Sequence, residues 1–260
     1  MSKEKLQVVA HRFGKEYQNE FLYKDKEKQE LQNSLTNDWY EALKFFFRKS
    51  FMGGRRKDLS HQFLDGALKA LDEFNLKNKI NEFKNNWKRE SKALEKKLKE
   101  AGVNNQQDRK MVLSTIEFIL KLKDYNLIKY CVDEIESKRI ENLYMELDKI
   151  YGVGDKKVSL FLRDVVCVFD LEKKIENNKQ IYLQPIDTWM EKIAEKLNIV
   201  EKSEIEKALN ENRKSLEKAR RAIVQRCKEA EVSPIEFSQG AWYIGVHAFD
   251  ILIENLERFR

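Results

Sequence analysis

The stretch Tyr151-Gly152-Val153-Gly154-Asp155-Lys156-Lys157-Val158-Ser159-Leu160-Phe161-Leu162-Arg163-Asp164 decides how this chain is read. It lies between two amphipathic runs: Ile140 to Ile150 before it, and Lys156 to Phe169 directly after. Two helices joined within so few residues need a tight turn, and a tight turn needs positive φ and room for a neighbouring backbone. Glycine supplies both, and Gly152 and Gly154 flank a single apolar residue, Val153. The amides of such a turn, at the N-terminus of the second helix, point outward and suit an anion such as a phosphate.

A second landmark closes the region. Leu183-Gln184-Pro185-Ile186-Asp187-Thr188-Trp189 leads into another helical run, with Asp187 at the place of an ordinary N-cap. Together, Gly152-Val153-Gly154-Asp155-Lys156 and Pro185-Ile186-Asp187-Thr188 resemble the hairpin and the downstream Val/Ile-Asp-Thr/Val of the helix-hairpin-helix DNA glycosylases, the superfamily of endonuclease III and 8-oxoguanine glycosylase. The hairpin alone occurs in many DNA-binding proteins that do no chemistry. Hairpin, lysine in register and downstream Ile-Asp-Thr together are more specific. The resemblance is sharp over about 40 residues and diffuse elsewhere.

The resemblance implies an all-α fold of two helical domains, with the helix-hairpin-helix motif and a DNA-binding cleft between them. A central domain would cover residues 37–169 and end in the hairpin; residues 1–36 plus 170–260 would form a discontinuous second domain. It implies a base-excision-repair N-glycosylase with AP lyase activity, acting as a monomer on double-stranded DNA that contains a damaged base. A base inside the stack must be flipped out before it is attacked. Cleavage of the glycosidic bond then builds positive charge on the sugar, which a carboxylate stabilises; the resemblance assigns this to Asp187. Lys156 takes the place of the amine that attacks C1′ and forms a Schiff base, after which β-elimination nicks the strand. The amine must be held neutral, which lysine tolerates and arginine does not, and Lys157 beside it would help. Members that only hydrolyse the base usually lack this lysine.

Gly152, Val153 and Gly154 would hold the DNA backbone. From the C-terminal helix, Trp242 would stack on a flipped purine and Gln239 would read its edge, although core packing explains Trp242 and Tyr243 about as well. Gly240 between them would allow close approach of a base or of another helix. An oxidised purine such as 8-oxoguanine is the first expectation for substrate, an oxidised pyrimidine the second. The interval from Lys156 to Asp187 is longer than in endonuclease III-like proteins and closer to archaeal 8-oxoguanine glycosylases. Other readings of the same residues stay open. Asp187 would serve as a helix cap, Lys156 as a phosphate contact, and the register between Lys156 and Lys157 is ambiguous by one. The chain would then be a non-catalytic helix-hairpin-helix DNA-binding protein.

Composition agrees with a polyanionic partner without demanding one: charged residues make up 36% and the net charge is +6. With 2 prolines and 9 glycines in 260 residues, an all-β design has too few turns, so most of the chain should be helical. Cys131, Cys167 and Cys227 are far apart and fall in helical patterns, which reads as reduced core thiols of an intracellular protein. Three cysteines cannot build the four-cysteine iron–sulfur cluster of endonuclease III, so no cofactor is expected. His11, His61 and His247 are scattered, so no metal site is visible. No signal peptide or membrane span is apparent, which points to a cytoplasmic, nucleoid-associated protein.

Elsewhere the chain reads as a series of helices. Leu6, Val8, Val9 and Phe13 form the buried side of a helical N-terminal segment. Thr36-Asn37-Asp38 offers a cap for a strongly apolar helix, Trp39 to Phe51. The loop Phe51 to Lys57 follows, in which Phe51, Arg55 and Arg56 would be pushed into the DNA stack by analogy with the family; a plain surface turn is the other reading. Asn75 to Ala101 is one long or broken helix with a narrow apolar stripe and a solvated lysine face. Gln180 to Leu183 is a short extended piece. Helices are expected at Thr188 to Leu197, Ser203 to Leu209 and Ser215 to Ala230, and Ser233-Pro234-Ile235-Glu236 caps a final one.

Overall fold

Helices are the only regular structure in the computed structural model, which describes residues 3–52, 57–199, 213–247 and 249–259. No strand occurs among these residues, so the all-α expectation holds. In chain order, α1 (Lys3–Gln7) continues through a π-helical turn (Val8–Phe13) into α2 (Gly14–Phe21). Then come α3 (Lys28–Asn37), α4 (Trp39–Ser50), α5 (Lys57–Glu73), α6 (Leu76–Asn85) and α7 (Trp87–Glu100). They are followed by α8 (Gln106–Ile119), α9 (Leu127–Glu136), α10 (Ile140–Asp148) and α11 (Gly154–Val168). The last four are α12 (Thr188–Lys196), α13 (Arg213–Glu229), α14 (Pro234–His247) and α15 (Phe249–Glu254).

The chain divides into two compact units. A central unit spans Gln32–Phe161, and a terminal unit joins Met1–Leu31 to Leu162–Arg260. The terminal unit is thus discontinuous, but its second boundary falls inside α11 rather than after Phe169.

In the central unit, α4 forms because Asp38 caps it: the carboxylate accepts the amides of Tyr40 at 2.9 Å and Glu41 at 3.4 Å. Its Leu43, Phe46 and Phe47 are fully buried, as a helix apolar on most sides requires, and the Phe46 ring meets Phe161 edge-on at 4.8 Å. Asn126 caps α9 by accepting the Lys129 amide at 2.9 Å. Its amide nitrogen donates to the Leu35 carbonyl at 2.9 Å, which satisfies an acceptor at the end of α3. The lysine-rich segment after Asn75 is the broken form of the two expected. The break falls at Asn86 (φ −122°, ψ 29°), while Leu76, Ile80, Phe83, Leu94 and Leu98 keep one buried stripe.

In the terminal unit, α14 crosses the π-helical turn so closely that Gly240 cannot carry a side chain. A Cβ there would lie 1.9 Å from the Val9 carbonyl oxygen. Of the two approaches expected at Gly240, the structure shows the second helix. The crossing buries Val9 and Phe13 with Phe237 and Ala241. The start of α14 is capped as read: Ser233 Oγ accepts the amides of Ile235 and Glu236, each at 3.2 Å. It is not the final helix, since α15 follows. Gln180 to Leu183 is not extended but belongs to a 3-10 turn over Asn177–Leu183. The expected helix at Ser203 to Leu209 lies outside the described residues.

Gly240→Ala should destabilise the protein by ~2–3 kcal/mol, because the methyl meets backbone rather than a movable side chain. Thermal denaturation would show it as a midpoint several degrees lower. An unchanged midpoint would mean that α14 and the π-helical turn are further apart than described.

Candidate functional site

The turn between α10 and α11 is built from the backbone outward. Ile150 donates its amide to Leu147 at 3.1 Å and Val153 donates to Ile150 at 3.1 Å, which winds the chain tightly after α10. Gly152 (φ +75°) and Gly154 (φ +62°) both take the left-handed conformation that the sequence anticipates. Gly152 is also hemmed in, since a Cβ would sit 3.2 Å from Cβ of Met111; above Gly154 there is open space. Val153 is buried and plugs the turn into the core.

Side chains fix this turn from several directions. The Lys157 ammonium donates to the Gly152 carbonyl at 2.7 Å. The Tyr144 hydroxyl donates to the Asp155 carboxylate. Tyr151 is anchored at its amide by Ser114 Oγ at 3.0 Å and at its hydroxyl by Gln107, with Lys110 over its ring at 5.5 Å. Gly152 and Gly154 are both exposed. The approach over Gly154, at the N-terminus of α11, is open.

The two adjacent lysines are differently employed. Lys157 holds the turn through the Gly152 carbonyl, whereas Lys156 is half-buried as the third residue of α11. Lys156 and the Gly152–Gly154 turn belong to the central unit; Asp187, Gln239 and Trp242 belong to the terminal unit. Asp187 takes an extended conformation (φ −137°, ψ 178°) and caps α12, accepting the amides of Trp189 at 3.1 Å and Met190 at 3.0 Å.

The remaining candidate residues are described by their burial and packing. Gln239 has no solvent exposure and both ends of its amide are engaged. Nε2 donates to Asp164 at 3.3 Å, and Oε1 accepts from Gln18 Nε2 at 2.9 Å. Both ends of its amide are thus engaged with the core. Trp242 is half-buried and meets Tyr17 and Phe21 edge-on at 5.5 and 5.0 Å, the packing alternative noted for it. Phe51 is fully buried against Phe47, so it is a core side chain and not a wedge for DNA. Arg55 and Arg56 lie outside the described residues.

Gln239 is part of a network that the sequence reading missed. Arg163 and Asp164, adjacent on α11, have no solvent exposure and pair through Nε and Oδ1 at 2.9 Å. Arg163 Nη2 donates to the Tyr17 hydroxyl at 2.6 Å, and that hydroxyl donates to Asp164 Oδ2 at 2.7 Å. Arg163 Nη1 reaches Ser238 Oγ at 3.2 Å. Burial pushes the Tyr17 hydroxyl well above its ordinary pKa. For Arg163 the burial penalty is outweighed by Asp164 and Tyr17, so the guanidinium stays charged. The available signal was an Arg-Asp pair set inside the apolar run Val158 to Val168, where a charge has to find its partner within the fold.

The cysteines are poor nucleophiles. Burial raises the Cys167 thiol to about 11, and burial also raises Cys131 and Cys227. Among the described residues no group of three His, Cys, Asp or Glu side chains is placed to hold a metal ion, and no helix is long and apolar enough to cross a membrane. Compared with models of protein families, with curated proteins and with solved structures, the chain matches none.

Asp164→Asn would leave the Arg163 charge buried without its counter-ion, and should cost ~3–5 kcal/mol. Urea denaturation would read this as a lower midpoint at an unchanged slope. A midpoint like that of the unaltered protein would show that Arg163 reaches solvent.

Proposed function

We propose that the protein is a helix-hairpin-helix DNA N-glycosylase with lyase activity that excises a damaged base, an oxidised purine such as 8-oxoguanine first. The observation that carries the reading is the turn itself. Two exposed, left-handed glycines stand directly ahead of a half-buried lysine at the start of α11. In this reading the turn grips phosphates of duplex DNA and the damaged nucleotide is flipped out of the stack. The Lys156 amine attacks C1′, the C1′–N bond breaks, and the base departs with the proton that the amine gives up. Ring opening, in which C1′–O4′ breaks and O4′ takes up a proton, gives an iminium, which loses a proton from C2′ and expels the 3′-phosphate. Asp187 supplies the negative charge that stabilises the cationic sugar, so the reading requires both residues to reach one nucleotide.

The N-cap role of Asp187 favours the second reading, a non-catalytic DNA-binding protein, because that role alone accounts for an aspartate there. Borohydride separates the two, since it reduces a Schiff base to a stable protein–DNA adduct. On a duplex with an oxidised purine, an oxidised pyrimidine, uracil or an abasic site, the glycosylase reading expects an adduct with at least one. Lys156→Gln should abolish adduct and nicking but keep most duplex binding. Asp187→Asn, which still caps α12, should cut base release by ~100-fold or more while leaving the fold intact. No adduct across the panel would leave the DNA-binding reading in its place.

A further inference from the structure

One face of α8 backs the glycine turn. Gln107, Met111 and Ser114, at helical spacing, all meet the segment Tyr151 to Gly152. Gln107 accepts the Tyr151 hydroxyl, Ser114 Oγ accepts the Tyr151 amide at 3.0 Å, and Met111 adjoins Gly152 and accepts Lys157 at its sulfur at 3.6 Å. Tyr151 is therefore held at both ends, yet it is 41% exposed. Lys110 lies on the same face of α8, is exposed, and sets its ammonium 5.5 Å from the centre of the Tyr151 ring. It has no carboxylate partner among the described residues. Arg109, one residue earlier, is employed differently, with its guanidinium donating to the carbonyls of Val103 and Asn104 at 2.8 Å each. An ammonium resting on an aromatic face keeps its full charge, whereas one paired with a carboxylate is already neutralised. A fixed ring thus presents an uncompensated cation immediately beside the exposed backbone of Gly152.

We propose that the Lys110 ammonium, presented on the Tyr151 ring, contacts a phosphate of duplex DNA adjoining the one at the glycine turn; the inference rests on the reading above that this turn grips DNA. Both functional readings share that grip, so Lys110 serves binding in either. Phosphate contacts from two elements, a turn and a helix face, fix the register of a duplex on the protein without reading its sequence. Each phosphate that a lysine neutralises releases condensed counterions, so each such contact adds its own step to the salt dependence of binding. That step separates a phosphate contact from a lysine that is merely solvated.

The test is duplex binding by fluorescence anisotropy across a potassium chloride series, with the unaltered protein, Lys110→Gln, Lys110→Arg and Lys123→Gln. Lys123 is exposed and lies past the far end of α8, so its replacement removes the same net charge elsewhere. Lys110→Gln should raise Kd about 3- to 10-fold at low salt, equally for duplexes of different sequence, and flatten the log–log salt slope by about 0.9. Lys110→Arg should keep the slope, and Lys123→Gln should match the unaltered protein. The thermal midpoint of Lys110→Gln should stay where it was, because the side chain is exposed. Should it fall, Lys110→Met, which keeps an unbranched stem on the ring, takes its place and is read by the same slope. An unchanged slope for the uncharged variant overturns the inference. An equal flattening by Lys123→Gln overturns it too, since net charge alone would then explain the effect. If the unaltered protein binds no duplex, the reading of the turn falls and this inference with it. If it binds and Lys110 makes no difference, only the inference falls.

Discussion

A guanidinium with no access to solvent has to be neutralised inside the fold, and the terminal unit is arranged around that requirement. Arg163 sits in a run of apolar residues on α11 and draws together Asp164 beside it, Tyr17 from α2 and Ser238 from α14. Each partner is itself buried, so each depends on the others for its hydrogen bonds. The network fixes which turn of α14 faces α2, and the Gly240 crossing then brings α14 against the π-helical turn within backbone contact. A network of this kind contributes less net stability than its short distances suggest, because desolvation offsets much of the attraction. What it does impose is specificity, since a slip of any one helix would strand a charge.

The start of α11 obeys a different constraint. There the chain makes a turn held by Lys157, Tyr144, Tyr151 and Ser114, with Gly152 and Gly154 exposed. In the proposed reading such a held turn is ready for a phosphate, so little ordering is left to be done when one binds. The same turn sets where Lys156 begins its helix. Binding and chemistry, in the proposed reading, thus share one backbone feature.

Much of this was legible in the sequence, for reasons that can be named. Asp38, Ser233 and Asp187 announce helices because capping is a local interaction, completed within three residues. Gly152 and Gly154 are legible because positive φ in a short turn has few other solutions. The role of Gln239 was not, since its partners lie on α2 and α11, 221 and 75 residues away along the chain. Phe51 was misread for a related reason: a phenylalanine next to a glycine-rich loop looks exposed, and only the position of Phe47 shows that it is covered. The boundary between units was displaced because α11 runs through it without a break in periodicity. The four residues Gln180 to Leu183 are too few for their pattern to separate a 3-10 turn from a strand.

The central claim is that one lysine, set by the glycine turn, is the nucleophile. The most direct measurement is peptide mapping by mass spectrometry of the borohydride-reduced adduct formed on damaged duplex DNA. The reduced sugar remnant should be carried by Lys156. A remnant on Lys157 would contradict the assignment of the turn-holding role to that residue, and one on a lysine elsewhere or on the N-terminal amine would contradict the account itself.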